Sequence, residues 1–370
     1  MDFTPTEEQQ AARELAARIF GDLSTHERLA AAGTGTDAEL WKALCAAGLP
    51  EAVEETGLLG LVLLAEEQGR TTAQVPFTAS LVYGLLAVAR HGTEEQRARL
   101  LPGLRDGTTV VTGAFPAGQG HAAVRADGGG RLTGTVPWVP WLRDATHVLV
   151  PDEARALWLV RTADAGPVEA VELTAPWSAG RLVLAGAPAE RLGRATGPEA
   201  EAERGAGGAE GAGADSGPYE DVLAAARIAF AGLQAGVCAG SLARAVAYTS
   251  VREQFGRPLS SHQAVQLRAA DAHMDTESIR VTAYEAAWRH DRALPAAEHA
   301  LTAAWWASEA GKRVVHAGQH LHGGMGADLD HPVHRHFLWG RQLDAYLGCG
   351  TELLAELGNL LAEPSKGDLA

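Results

Sequence analysis

The chain has 370 residues, enough for two or three packed units around a large core. Its formal charge of −15 disfavours nucleic acid, whose phosphates need a basic face, and no run of about twenty apolar residues is free of charge, so neither nucleic acid nor a membrane is an expected partner. Cys45, Cys238 and Cys349 are odd in number and far apart, which argues against a disulfide framework and fits a reducing cytoplasm. The N-terminus has no basic start followed by an apolar stretch, so no signal peptide is expected.

The first hundred residues read as helices. Thr4, Pro5, Thr6 and Glu7 supply an N-cap, a proline at the first helical position and a capping-box acid, with Leu15, Ile19 and Phe20 as the apolar side that follows. Trp41 to Leu49 and Leu58 to Gly69 are helical in pattern. A second start at Thr93-Glu94-Glu95-Gln96 leads into Leu100 and Leu101 and is expected to stop at Pro102-Gly103. The texture changes near Thr108. Short β-branched runs at 109–112, 131–136, 146–150 and 157–160 are separated by Gly or Asp clusters and read as strands of an antiparallel β domain. Residues 199–218 are Gly, Ala and Glu with almost no large apolar side chain, and read as a solvated insert.

From Tyr219 the chain reads as helix again. Asp221 to Val251 is apolar nearly all round, as a central bundle helix would be; its most apolar part, Leu223 to Ala243, carries Arg227 and Gln234 and reads as buried in protein. Three further helices are expected over 260–289, 295–319 and 334–361. The expected organisation is therefore an N-terminal helical domain (1–107), a middle antiparallel β domain (108–198), a flexible insert (199–218) and a C-terminal four-helix bundle (219–370). The fold class is α+β, mostly α.

Several strings in this order resemble the acyl-CoA dehydrogenase family. Thr93 to Gln96 with Leu100 to Gly107 looks like the end of that family's N-terminal domain, and Leu132 to Val139 resembles its middle-domain strand pair. Val251-Arg252-Glu253-Gln254-Phe255-Gly256-Arg257-Pro258-Leu259 with Gln263, and His320-Leu321-His322-Gly323-Gly324-Met325-Gly326, are the most specific matches. The resemblance implies FAD held between subunits, in a dimer usually paired into a tetramer. Arg252 would offer a permanently charged fork to the pyrophosphate. Phe255 would pack on a cofactor ring, Gln263 would meet the adenine or ribose end, and His320 belongs to the implied cofactor set. Gly323 and Gly324 would let backbone N–H groups approach phosphate where a Cβ would intrude. Trp138 would sit by the isoalloxazine ring, and Thr351, in Gly350-Thr351, completes the implied cofactor set. The implied activity is α,β-desaturation of an acyl thioester, on CoA or a carrier protein, with hydride passed to flavin N5 and electrons to an electron-transferring flavoprotein.

That reaction needs a carboxylate base, and its two usual places carry none. The residue before Gly350-Thr351 is Cys349, and the second place, in the first bundle helix, is Ala226. Asp344, Asp328, Asp330 and Glu352 are other acids within reach in sequence, and Cys349 itself is a candidate for altered chemistry. The alternatives are a catalytically silent partner in a heteromer, or a flavin-dependent biosynthetic enzyme that does not desaturate. The string from His322 to His334 resembles an actinobacterial subgroup acting on steroid or polyketide-like thioesters, some as heteromers. The β domain departs too. The family's segment that bonds the flavin pyrimidine edge reads Ala114-Phe115-Pro116-Ala117-Gly118-Gln119-Gly120 here, with Ala114 in place of a hydroxyl, and Pro140 stands where a Ser or Thr is usual. The histidines at 316, 320, 322, 331, 334 and 336 read as a solvated or interface cluster, since His334 and His336 are two apart on a helix and face different ways, and no metal is expected.

Overall fold

The computed structural model describes residues 2–116, 124–193 and 217–362. Residues 117–120 of the departed β-domain segment, and 199–216 of the expected insert, lie outside the described residues. Helix α1 (Glu7–Leu23) is capped by Thr6, whose side chain accepts the Gln9 N–H while Gln9 Oε1 accepts the Thr6 N–H at 2.9 Å. The start is therefore two residues later than Thr4. Gln9 decides it, because its amide also donates to Thr56 O at 3.1 Å and anchors α1.

The helices α2 (His26–Ala32), α3 (Ala38–Ala46), α4 (Leu49–Thr71), α5 (Phe77–Ser80), α6 (Ala87–His91) and α7 (Glu94–Asp106) follow, with a π-helical turn at Leu81–Leu86. The Thr93–Gln96 capping box opens α7 as expected, but the helix runs through Pro102 to Asp106. Leu100, Leu101 and Leu104 are all buried on one face, and that packing carries the helix past the missing proline donor.

Helix α4 is interrupted at Gly57 (φ +75°, ψ −160°), where the Asp291 carboxylate accepts the N–H groups of Leu58 (2.7 Å) and Leu59 (2.9 Å). A Cβ at Gly57 would lie 2.6 Å from Asp291 Oδ1. Gly57→Ala is therefore expected to lower stability by about 1–3 kcal/mol, because both the backbone conformation and the cap are lost together. An unchanged urea midpoint would refute this.

The middle region forms two four-stranded sheets among the described residues. One runs in the order β1 (Val111–Gly113), β4 (His147–Pro151), β5 (Leu157–Arg161), β8 (Glu190–Arg191). The other runs β2 (Arg125–Ala126), β3 (Arg131–Val139), β7 (Gly180–Pro188), β6 (Glu169–Ala170). Pairing is antiparallel except between β1 and β4, which are parallel. Leu132, Val136, Val148, Val160, Leu182 and Leu184 fill the space between the sheets. The long strand β7 has no counterpart in the sequence reading, because its glycines and alanines dilute the β-branched signal.

Helix α8 (Pro218–Val251) is the centre of the C-terminal bundle, packed by α4, α9 (Gln263–Asp291), α10 (Ala297–Leu321) and α11 (Pro332–Leu343). It is long and apolar enough to cross a membrane, but 89% of its most apolar window is buried inside the protein. The helix expected over 334–361 is two, α11 and α12 (Gly350–Ala362). The chain breaks between them because Asp344 ends α11 and bonds Ser308 Oγ (2.8 Å), Gly348 takes φ +115°, and Glu352 accepts the Cys349 N–H at 3.0 Å to start α12 afresh.

One half-buried charge cluster ties α6, α8 and α9. Asp221 lies 2.7 Å from His91 Nε2, 3.0 Å from Arg90 Nε and 3.2 Å from His290 Nε2. Burial opposes ionisation of both acid and histidine, yet the surrounding opposite charges win. Asp221 is held well below its ordinary 3.8 and His290 is raised above its ordinary 6.5. The Asp221 contribution is present above about pH 3.8 and lost as pH falls through its depressed value. The His290 contribution is complete below about 6.5 and lost as pH rises through its raised value. His290→Asn should therefore flatten the alkaline limb of stability against pH. A limb identical to wild type would contradict the assignment.

Candidate functional site

The two segments singled out in the sequence meet at one end of the bundle. After α8 the chain makes a hairpin, β9 (Glu253–Gln254) and β10 (Arg257–Pro258), whose two-residue turn is Phe255 (φ +55°) and Gly256 (φ +77°). Positive φ at both positions is the geometry of a tight primed turn. It projects Phe255 outward, 91% exposed, edge-on to His262. Arg252 is exposed at the helix end and has no ion-pair partner among the described residues, so it is not spent on a neighbouring carboxylate. Gln263 begins α9 and is exposed.

His320 is exposed on the last turn of α10, and Gly323 (φ +63°) follows the helix as its left-handed cap residue. Nothing lies within 4 Å of a Cβ built at Gly323 or Gly324, so both backbone segments face open space. A groove of about 860 Å³ continues from this end between α9 and α10, lined by Leu267, Arg268, Asp271, Met274, Arg313 and His316 among others. His320 sits one turn beyond His316 on the same helix face.

The β-domain side is different. Ala114 is buried and offers only its backbone, its N–H donating to Leu149 O at 2.9 Å. Pro140 has no N–H, and its carbonyl already accepts from Thr112 Oγ1 at 2.6 Å. Trp138 is half-buried and leans on Tyr346, with ring centres 5.9 Å apart.

Ala226, one of the two positions where a base is expected, lies on a helix face that carries an aromatic column. Tyr219, Ala226 and Phe230 share one face of α8, spaced by seven and four residues. Tyr219 stacks on Phe115 (5.6 Å), Phe115 on Tyr83 (5.2 Å), and Phe230 packs edge-on to Tyr346 (4.8 Å). The Tyr83 and Tyr346 hydroxyls lie 3.1 Å apart, and burial pushes both phenols above their ordinary range. Ala226 is fully buried. Its neighbour Arg227, also buried, is held by Glu356 through two hydrogen bonds of 2.8 and 2.7 Å. The sequence reading missed this column, although the Tyr219–Ala226–Phe230 spacing on an apolar helix is a usable signal.

Three of the substitute acids, Asp344, Glu352 and Asp328, already accept hydrogen bonds. Asp344 accepts from Ser308 Oγ and pairs with Arg341 Nη1 at 3.0 Å. Glu352, in the first turn of α12, accepts the Cys349 N–H at 3.0 Å, and Asp328 Oδ1 accepts the Asp330 N–H at 3.1 Å in an exposed turn. Cys349 is a half-buried free thiol, its Sγ 3.2 Å from the Oγ1 of exposed Thr351. The histidines also have separate duties. His331 Nδ1 accepts the Val333 N–H at 3.2 Å, and buried His336 contacts Arg70 O at 3.0 Å.

Comparison with known proteins identifies two matching segments. Residues 6–108 match the model described as acyl-CoA dehydrogenase, N-terminal domain, and residues 219–355 match acyl-CoA dehydrogenase, C-terminal domain. The chain is 35% identical to acyl-CoA dehydrogenase FadE27 of Mycobacterium tuberculosis over 98% of this chain and 99% of that protein. Among solved structures it resembles a variant of the Tcur3481-Tcur3483 steroid ACAD (TM-score 0.85, 39% identity, 96% of this chain, 98% of that one). It also resembles the ChsE4-ChsE5 complex from Mycobacterium tuberculosis (TM-score 0.85, 33% identity, 99% of this chain, 100% of that one).

Proposed function

The chain belongs to the acyl-CoA dehydrogenase family, and from that premise we propose that it is the base-lacking subunit of a heteromeric FAD-dependent acyl-thioester dehydrogenase. In this reading it lends the nucleotide-holding half of a flavin site to a second chain that carries the carboxylate. The observation that carries the proposal is the contrast between the two halves of the site. Arg252 is unpaired among the described residues, Phe255 is exposed, and the space beside Gly323 and Gly324 is open; this suits a pyrophosphate and an aromatic ring. The β-domain half has Ala114 and Pro140 where donors are needed, and the base positions are Cys349 and Ala226, the latter on the helix face that carries Tyr219 and Phe230.

FAD, when bound, supplies the acceptor for the hydrogen removed from the substrate β carbon. The residues of this chain bind and orient rather than transfer protons. Arg252 neutralises phosphate, Phe255 covers a ring, and Gln263 and His320 offer polar groups to the nucleotide end. The exposed apolar side chains around them, Val251, Leu267, Met274, Met325 and Leu329, are suited to a partner chain laid across the groove. Two solved relatives are named as pairs of chains, which supports a heteromer over a homo-oligomer. The acyl carrier, and electron delivery to an electron-transferring flavoprotein, belong to the proposed assembly as a whole.

Arg252→Ala is expected to weaken flavin retention by the assembly about 10- to 100-fold, the value of one lost charge-assisted phosphate contact. Flavin absorbance after gel filtration reads this directly. Retention equal to wild type would defeat the assignment of the nucleotide half to this chain.

A further inference from the structure

We infer that Tyr248 is a positioning residue of the nucleotide cleft, fixing the Arg252 hairpin and the Gly323–Gly324 turn in one frame through a stack of three rings. The inference rests on the proposed reading that these two segments hold the nucleotide. Tyr248 lies one turn before Arg252 on α8, and its carbonyl accepts the Arg252 N–H at 2.9 Å. Its ring stacks on His322, with centres 5.0 Å apart and planes 20° from parallel. His322 is buried and opens the glycine turn, and its Nδ1–H donates to Gly318 O at 2.7 Å, which sets the ring's plane. The far side of His322 meets His331 edge-on at 4.9 Å, and His331 caps α11. The ends of α8, α10 and α11 are thereby joined at a single point.

Among the ring contacts of the described residues, Tyr248–His322 is the one that joins the end of α8 to the glycine turn, whereas the hairpin is exposed from Glu253 to Arg257 and half-buried at Pro258. Gly326 is pressed on Gln319, where a Cβ would lie 2.2 Å from the Gln319 carbonyl, so the glycine turn is already fixed to α10. What remains to be set is the position of Arg252 against it, and Tyr248 is the side chain placed to do so. The Tyr248 ring supplies this, and its hydroxyl has no partner among the described residues.

The test is titration of ADP and of FAD into the full-length chain, purified in the assembly it forms and stripped of flavin. Four proteins are compared: wild type, Arg252→Ala, Tyr248→Leu and Tyr248→Phe. The expected result is ADP binding weakened about 3- to 10-fold in Tyr248→Leu, the range of a lost ring stack. Tyr248→Phe should bind as wild type, since it keeps the ring, and the thermal midpoints of the two Tyr248 variants should agree within about 3 °C. Tyr248→Leu binding as tightly as wild type, while Arg252→Ala fails, overturns the positioning role and leaves the nucleotide half intact. Equal ADP binding by wild type and Arg252→Ala overturns the underlying reading, and this inference with it.

Discussion

Glu66→Ala is expected to lower the unfolding free energy by about 3–5 kcal/mol, the range for removing one partner of a buried ion pair. Glu66 is fully buried on α4. Its Oε1 accepts from Arg280 Nη2 at 2.7 Å and Nε at 3.0 Å, from Arg70 at 3.1 Å and from Arg13 at 3.4 Å, while Oε2 accepts the Tyr284 hydroxyl at 2.8 Å. Three cations from α1, α4 and α9 therefore converge on one carboxylate. Burial alone would raise its pKa, but Arg280 and Arg13 hold it below the ordinary 4.5. Its contribution is thus present above about pH 4.5 and lost as pH falls through the lowered value. The Ala variant leaves the Arg280 guanidinium half-buried with Glu277 as its remaining ion-pair partner among the described residues. Guanidinium chloride unfolding at pH 7 measures the loss. A change under 1 kcal/mol would mean that water, not Glu66, satisfies these cations.

Ala226→Glu is the second large effect, because it places a carboxylate at one of the two positions that the proposed reading leaves without a base. Ala226 is fully buried on the α8 face that carries Tyr219 and Phe230. A glutamate there must displace rings of the column and lose its solvation. The expected outcome is a destabilisation of roughly 2–5 kcal/mol from overpacking and an unsatisfied polar group, with no acyl-thioester dehydrogenation gained by this chain. Turnover appearing in the variant, measured by dye reduction with an acyl-CoA panel, would show that the surrounding space is a functional acyl site lacking only its base.

The contrast between the legible and illegible parts of this chain follows from the range of each interaction. Caps and turns are local, and Thr93 with Gln96 can be read directly, as can the apolar girth of α8. The choice between Thr4 and Thr6 is not local, because Gln9 is also bound to Thr56 across the α1–α4 interface. Pro102 reads as a stop from its own chemistry, whereas the burial of Leu100, Leu101 and Leu104 overrides it. The break between α11 and α12 depends on Asp344 meeting Ser308, thirty-six residues away.

The site divides in the same way. Arg252, Phe255, Gly323 and Gly324 are legible because their local strings are specific, and the structure brings both segments to one end of the bundle. The β-domain departures at Ala114 and Pro140 are legible as missing donors. The aromatic column as a whole is not, since only Tyr219 and Phe230 share a helix, while Tyr83, Phe115 and Tyr346 reach them from three other stretches. Nor is the pairing of buried Arg227 with Glu356 across 129 positions of sequence. These are the contacts that turn the absence of a glutamate from a gap in a motif into a packed region of the protein.

The most direct measurement is the FAD content and acyl-CoA-dependent flavin bleaching of this chain, purified alone and together with a Glu-bearing dehydrogenase chain. Little or no FAD and no bleaching are expected for the chain alone. About one FAD for each pair of unlike chains, with bleaching, is expected in the assembly. A homo-oligomer of this chain holding one FAD per subunit and bleached by acyl-CoA would contradict the proposed heteromer.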